Sequence, residues 1–175
     1  SMEVVIAHKG KRSFRCDVRG LAAHSSLAPQ AVNAVEYAAR LVWSNRNGAG
    51  TADYAGYDRE YRVLVRGKPE LTGSADAIFR GEADKHNPED LFLVALSSCH
   101  MLSYLALCAR NGVRVTAYED EARGTLALAP DGGGKFEVVT LRPRVTVADA
   151  DTTDKAMQLH ETAHQVCFIA NSCSV

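Results

Sequence analysis

Five cysteines, Cys16, Cys99, Cys108, Cys167 and Cys173, carry the nucleophilic potential of this 175-residue chain. Their number is odd and their spacing wide, so they do not read as the disulfide framework of a small secreted domain. No signal peptide is recognised, and the expected compartment is the cytoplasm. Thiols stay reduced there, and a cysteine that matters is catalytic, redox-active or metal-binding. Cys99 sits in the apolar run Ala95-Leu96-Ser97-Ser98-Cys99-His100-Met101, and Cys167 closes Ala163-His164-Gln165-Val166-Cys167. A cysteine among apolar residues is commonly an inert small hydrophobe, whereas a reactive one must be held as thiolate by a favourable field. Cys108 reads as core packing. Cys16 and Cys173, near the ends, read as incidental, with Cys173 at most a partner for scrambling with Cys167.

The segment that must position Cys99 carries a full set of helix punctuation. Asn87 is an N-cap, Pro88 suits the first helical position, Glu89 and Asp90 suit the positive helix end, and Gly112 stops the run. This predicts a helix of about 24 residues, apolar on nearly every side and therefore buried. Its length approaches that of a membrane span, but His100, the serines and the strand-rich flanks favour a core helix. Cys99 lies roughly three turns in, beyond the reach of the helix dipole. A thiolate there needs a cation from elsewhere, and Arg46, Arg59 and Arg80 are the candidates. A second helix is expected from about Thr153 through Val166, placing His160, His164 and Cys167 on one face.

The remaining elements read as antiparallel strands. Leu41-Val42-Trp43, an Asn47-Gly48 turn and Tyr57 to Val65 form one meander, with a further strand over Asp76 to Phe79. Tyr118 to Leu128 and Phe136 to Val147 flank Gly132-Gly133-Gly134 as a second. Residues 3–36 stand apart: a small hairpin is expected from Val4 to Ala7 and Phe14 to Val18. A helix over Gln30 to Arg40 competes with a strand over Tyr37 to Trp43. Ser1-Met2 reads as a cleavage scar before a start codon. The domain division expected is 1–36 as an N-terminal extension and 37–175 as the main domain.

A net charge of −1, with 46% hydrophobic and 23% charged residues, describes one globular domain without electrostatic attraction to nucleic acid or to an anionic membrane. His160, His164, Cys167 and the Cys99-His100 pair could in principle supply zinc donors. They lack a close Cys-x-x-Cys or His-Glu-x-x-His signature, so no metal is expected. A Cys99-His100 hydrolase dyad is disfavoured because adjacent helical side chains point about 100° apart.

Three segments together resemble the OsmC/Ohr family, the osmotically inducible and organic hydroperoxide resistance proteins. They are Gly81 with Asn87-Pro88-Glu89-Asp90-Leu91-Phe92, the Cys99 motif, and the Cys167 motif followed by Asn171-Ser172. The resemblance runs from about Tyr37 to Ser172. It implies an α+β fold of two antiparallel β-meanders around long central helices, in an intertwined homodimer with active sites near the interface. It also implies a peroxidase in which Cys99 attacks an organic hydroperoxide and Cys167 closes a disulfide with it. Glu89 would position an arginine on the thiolate, Arg59 being favoured slightly over Arg46. No cofactor is implied, and an external dithiol, typically a lipoyl group on a protein, would reduce the disulfide. Phe92, Met101 and Phe168 would offer apolar walls to the substrate. The alternative is a non-catalytic module holding an apolar ligand or metal in the dimer cavity. The residues after Cys99 and Cys167 depart from the family pattern and point to an OsmC-like branch.

Overall fold

The computed structural model describes residues 2–7, 11–16, 37–44, 46, 48 and 50–173. The chain divides into two units, Ser1–Arg40 and Leu41–Val175. In the first, β1 (Met2–Ala7) pairs antiparallel with β2 (Lys11–Cys16), with Met2 opposite Cys16 and Ala7 opposite Lys11. A hairpin was expected from Val4 to Ala7 and Phe14 to Val18; its second strand lies earlier, at Lys11–Cys16, and Asp17 and Val18 are outside the described residues. Most of the helix expected over Gln30 to Arg40 lies outside the described residues. Tyr37 to Ala39 are not helical, and a strand begins at Arg40.

In the second unit, β3 (Arg40–Trp43), β4 (Tyr61–Leu64) and β5 (Leu71–Gly73) form a sheet in that order. The strand expected over Asp76 to Phe79 is instead a 3-10 turn, Ala77–Phe79. Asp76 explains the difference: its Oδ1 accepts from the Ile78 amide at 2.8 Å, a local bond that competes with a sheet ladder. The turn closes with the Gly81 amide on the Asp76 carbonyl at 3.0 Å. A Cβ at Gly81 would fall on the Ala75 carbonyl oxygen, so only glycine fits.

The same aspartate anchors the start of α1 (Pro88–Arg110), its Oδ2 accepting from Asn87 Nδ2 at 3.0 Å. Asn87 and Asp90 make a reciprocal capping box, with Asn87 Oδ1 accepting from the Asp90 amide at 2.8 Å. Two orphan amides are thereby satisfied. Gly112, at φ +72°, ends the helix as expected.

Beyond α1 runs a long two-stranded hairpin in two segments. β6 (Val115–Asp120) pairs with β9 (Pro143–Val147), and β7 (Arg123–Leu128) with β8 (Gly134–Thr140). The expected single strands are each broken. At the break, Asp120 Oδ1 accepts the Arg142 amide at 2.6 Å in place of a ladder bond. α2 (Thr153–Val166) follows, and the Thr152 hydroxyl before it bonds back to the Asp149 carbonyl rather than to the helix amides.

The core joins Tyr104 and Cys108 of α1, Val113, and Ala156, Leu159 and Ala163 of α2, with Val115, Tyr118, Val145 and Val147 packed against them. Two alanines on the buried face of α2 let the helices approach closely. The expectation that α1 is buried all round is corrected: Leu96, His100, Tyr104 and Cys108 are buried, whereas Val94 and Leu102 are 58% and 62% exposed. α1 is long and apolar enough to cross a membrane by length and composition alone. β6 and α2 pack on one side of it, so the helix is amphipathic by burial although not by sequence.

Candidate active site

Cys99 projects from the middle of α1 toward the end of α2, where Cys167 forms the C-cap with extended backbone (φ −71°, ψ 111°). Each thiol acts on the titration of the other. Burial pushes the Cys99 thiol up, but the Ile169 amide, the Cys167 thiol, the Phe168 amide and the Ser103 hydroxyl all donate to it. The balance lies below the ordinary cysteine value. Cys167 is 1% exposed. Burial raises its thiol, the Ala170 and Ile169 amides oppose this, and its bond to Cys99 with the negative charge there raises it again. The balance lies above the ordinary value. The surroundings thus favour the thiolate at Cys99 and disfavour it at Cys167.

The amide cradle is built by a tight turn after α2. The Asn171 amide donates to the Cys167 carbonyl at 3.0 Å, Asn171 Nδ2 donates to the Gln165 carbonyl at 2.8 Å, and the Ser172 hydroxyl donates to the Phe168 carbonyl at 2.7 Å. These bonds fold residues 168–170 back so that successive N–H groups face the sulfurs, a backbone nest for an anion. Asn171 and Ser172 brace it. The sequence reading found neither the nest nor Ser103. Ser103 was signalled by its place one helical turn beyond Cys99, and the nest by two turn-forming side chains soon after Cys167.

Glu89 lies in the first turn of α1 with Oε2 buried and without a hydrogen-bond partner among the described residues. Burial, and then the Glu89 charge, raise the Tyr61 hydroxyl. Neither expected arginine reaches Glu89 or Cys99. Arg59 donates to three backbone carbonyls: Phe79 at 3.1 Å, Tyr54 at 2.5 Å, and Tyr57. Its guanidinium lies 3.7 Å from the Tyr57 ring centroid. Arg46 is held by Asp58 at 2.6 Å, Glu60 at 3.2 Å and Glu82 at 3.6 Å. Arg80 lies over the Tyr54 ring at 5.9 Å. Three carbonyls take three of the five N–H groups of the Arg59 guanidinium and three carboxylates surround that of Arg46, while backbone amides and the Ser103 hydroxyl favour the Cys99 thiolate. Of the two, Arg59 shares a cavity wall with Tyr61 and Pro88, close to Glu89 in the chain.

The apolar residues expected around the substrate have three different settings. Phe92 stacks on Phe136 with ring centroids 4.9 Å apart. Met101 lines a groove of about 640 Å3 with Val94, Ser98 and Tyr118. Phe168 is 82% exposed beside Cys167. His100 turns away from Cys99 to meet His160 across the helix interface, so no Cys-His dyad forms. Among the described residues no group of three histidine, cysteine or acidic side chains is arranged to hold a metal ion. Cys108 is buried in the core, and Cys173 is a partly exposed free thiol.

A family model for OsmC-like proteins matches residues 81–174. A model for a peptidase dimerisation domain matches residues 6–89, less than half of the chain. No curated protein matches in sequence. An OsmC-like protein of unknown function from Vibrio cholerae O1 biovar eltor is 30% identical, with a TM-score of 0.73 over 81% of this chain and 96% of that one. That coverage is more than the residues from Gly81 onward can supply, so the shared fold reaches upstream of the family match. An organic hydroperoxide resistance protein from Elizabethkingia anophelis shares the fold at 20% identity, with a TM-score of 0.60 over 80% of this chain and 89% of that one. A putative organic hydroperoxide resistance protein from Vibrio cholerae does so at 24% identity, with a TM-score of 0.53 over 79% and 85%. With two cysteine motifs brought together on an α+β scaffold of this kind, the chain belongs to the OsmC-like family.

Proposed function

We propose that this protein is a thiol-dependent peroxidase that reduces organic hydroperoxides to alcohols, with Cys99 attacking and Cys167 resolving. One observation carries the reading: the Cys99 thiol is held below the ordinary range beside a buried Cys167 thiol held above it, each acting on the other. The Cys99 thiolate attacks one peroxide oxygen, the O–O pair leaves with the alkoxide, and the alkoxide takes a proton to become the alcohol. Cys99 is then a sulfenic acid. Cys167 attacks that sulfur and gives up its proton, and the departing hydroxide leaves with a proton as water. Two thiols are oxidised for each peroxide bond reduced, and an external dithiol, of the lipoyl type on a partner protein, restores them by exchange. Such a cycle suits a cytoplasmic setting. The names of the two hydroperoxide resistance proteins that share the fold support the substrate class.

The site is proposed to work in a homodimer. Val94 and Leu102 leave an apolar face of α1 uncovered in one chain, and a second copy is the occupant proposed for it. Glu89 is proposed to take its cation, Arg59 ahead of Arg46, when the assembled site is complete, with Phe92, Met101 and Phe168 forming the apolar surround.

The test is consumption of cumene hydroperoxide against hydrogen peroxide with dihydrolipoamide as reductant, for the wild type, Cys99→Ser and Cys167→Ser. Turnover of the organic peroxide that Cys99→Ser abolishes is the expected result. Absence of peroxide consumption by the wild type would sink the reading in favour of a passive ligand-binding module.

A further inference from the structure

The α1–α2 interface contains an imidazole pair with no part in the scheme above. His100, adjacent to Cys99 in the chain, is 8% exposed, and its Nε2 lies 3.1 Å from Nδ1 of His160. The rings are nearly parallel, at 7° with centroids 5.4 Å apart. His160 also lies flat on Tyr104, with centroids 3.9 Å apart and planes at 8°. Each imidazole is thus the polar partner of the other inside an aromatic stack. Losing one would leave a buried nitrogen unsatisfied.

The location of the pair relates it to the sulfurs. His100 follows Cys99 directly on α1, and His160 precedes Cys167 by two turns on the same face of α2. At 1.5 Å per residue, the hydrogen bond and the sulfur contact are separated by about 10 Å along α2. Two contacts at that separation define both the rotation and the axial register of α2 on α1. A slip by one residue would carry Cys167 off Cys99. His100, His164 and Cys167 also line one cavity of about 120 Å3, closed by Leu96, Val139, Leu141 and Ala170.

We infer that the His100–His160 hydrogen bond is a positioning device for the cysteine pair, setting how readily Cys167 closes on Cys99. The inference rests on the reading of these cysteines as a redox pair. An N–H···N bond between imidazoles needs one donor and one lone pair, so it survives with one ring protonated and is lost when both are. The groups facing the pair are Tyr104 from α1, His164 and Cys167 from α2 and Asp120 from β6; Tyr118 of β6 packs on Tyr104, and the β8 side contributes the apolar Val139. Burial keeps both imidazoles below their ordinary range, Asp120 opposes this at both, His164 adds to it at His100, and His100 adds to it at His160. The surroundings therefore favour the neutral rings and the bond between them, and acidification works against it.

The experiment equilibrates the full chain in glutathione redox buffers between pH 4.5 and 7.5. There one oxidised glutathione and two protein thiols give one disulfide and two reduced glutathiones. The Cys99–Cys167 disulfide is quantified by alkylation and peptide mass spectrometry. His160→Phe keeps the ring on Tyr104 without the hydrogen bond, and His160→Gln keeps a donor and acceptor that do not titrate. The expected result is a disulfide equilibrium constant about tenfold lower in His160→Phe at pH 7. The wild type should also show a fall toward acid that His160→Gln lacks. A wild-type constant in His160→Phe, or the same pH profile in the wild type and His160→Gln, would overturn the proposal. If His160→Phe does not fold, as judged by circular dichroism, the His160→Gln profile decides alone. The oxidant is glutathione, so failure of peroxide turnover does not affect the outcome. If no Cys99–Cys167 disulfide forms at any glutathione ratio, the redox-pair reading falls and this proposal with it.

Discussion

Cys99 and Cys167 act on each other's thiols in opposite directions, Cys99 lying below the ordinary cysteine value and Cys167 above it. The partly exposed sulfur is thereby the better nucleophile. Limiting iodoacetamide at pH 7 is expected to label Cys99 first, with Cys167 and the buried Cys108 well behind. Peptide mapping at a few time points checks the order. Equal labelling of Cys99 and Cys108 would contradict it.

Ser103 donates to the same sulfur. Ser103→Ala removes one hydrogen bond to an anion, and alkylation of Cys99 at pH 7 should slow by a few-fold to about tenfold. Ser103→Thr restores a hydroxyl and most of the rate. The alkylation rate measured against pH should show its midpoint moved upward in Ser103→Ala, because the thiolate has lost a donor.

The capping box at the start of α1 should contribute to stability independently of the sulfurs. Asn87→Ala breaks both the bond to Asp90 and the bond to Asp76, and a loss of about 1–2 kcal/mol is expected. Urea titration measures it. Cys99 labelling in the folded protein should stay within about twofold, since Cys99 lies three turns away.

Gly81→Ala should be more damaging than any exposed alanine substitution in the chain. The added methyl meets backbone, the Ala75 carbonyl, and a carbonyl cannot rotate aside as a flexible side chain does. A loss of about 3 kcal/mol or more is expected, read as a shifted urea midpoint or as loss of soluble protein.

Folding stability should decline as pH falls below about 6.5, the ordinary imidazole value. His100 and His160 are both held below that value in the folded chain. In that range the unfolded chain binds protons that the folded chain refuses, and the slope of stability with pH is positive. Above it both states are neutral at these sites and the contribution is complete. Urea midpoints at pH 7.5 and 5.0 should differ in this direction, and the difference should shrink in the double variant His100→Gln, His160→Gln.

α1 and the cysteine pair were legible in the sequence because their signals are local. Asn87, Pro88 and Gly112 punctuate a helix wherever the chain goes, and each cysteine lies inside a motif several residues long. The strand expected at Asp76 to Phe79 failed for an equally local reason, a side chain that captures its own backbone. The break in the long hairpin was hidden because Asp120 is bonded to Arg142, twenty-two residues away. The amides around Cys99 were not legible in the sequence because backbone amides have no residue type. The conformation that aims those of Phe168 and Ile169 exists only once Asn171 and Ser172 have made their bonds. The exposed side of α1 could not be seen either: a run of apolar residues says how much of a helix can be covered, not which element covers it.

The nest at residues 168–170 also makes the backbone a reporter. Its N–H groups act on both sulfurs and favour charge at Cys99, and a disulfide would leave them facing neutral, poorly accepting sulfur. Oxidation would release the strongest acceptor from the last turn of the domain, and amide hydrogen exchange there should quicken while the hydrophobic core stays protected. The oxidation state of the cysteine pair would then be displayed at the surface as the looseness of a short peptide segment, beside the exposed Phe168 ring.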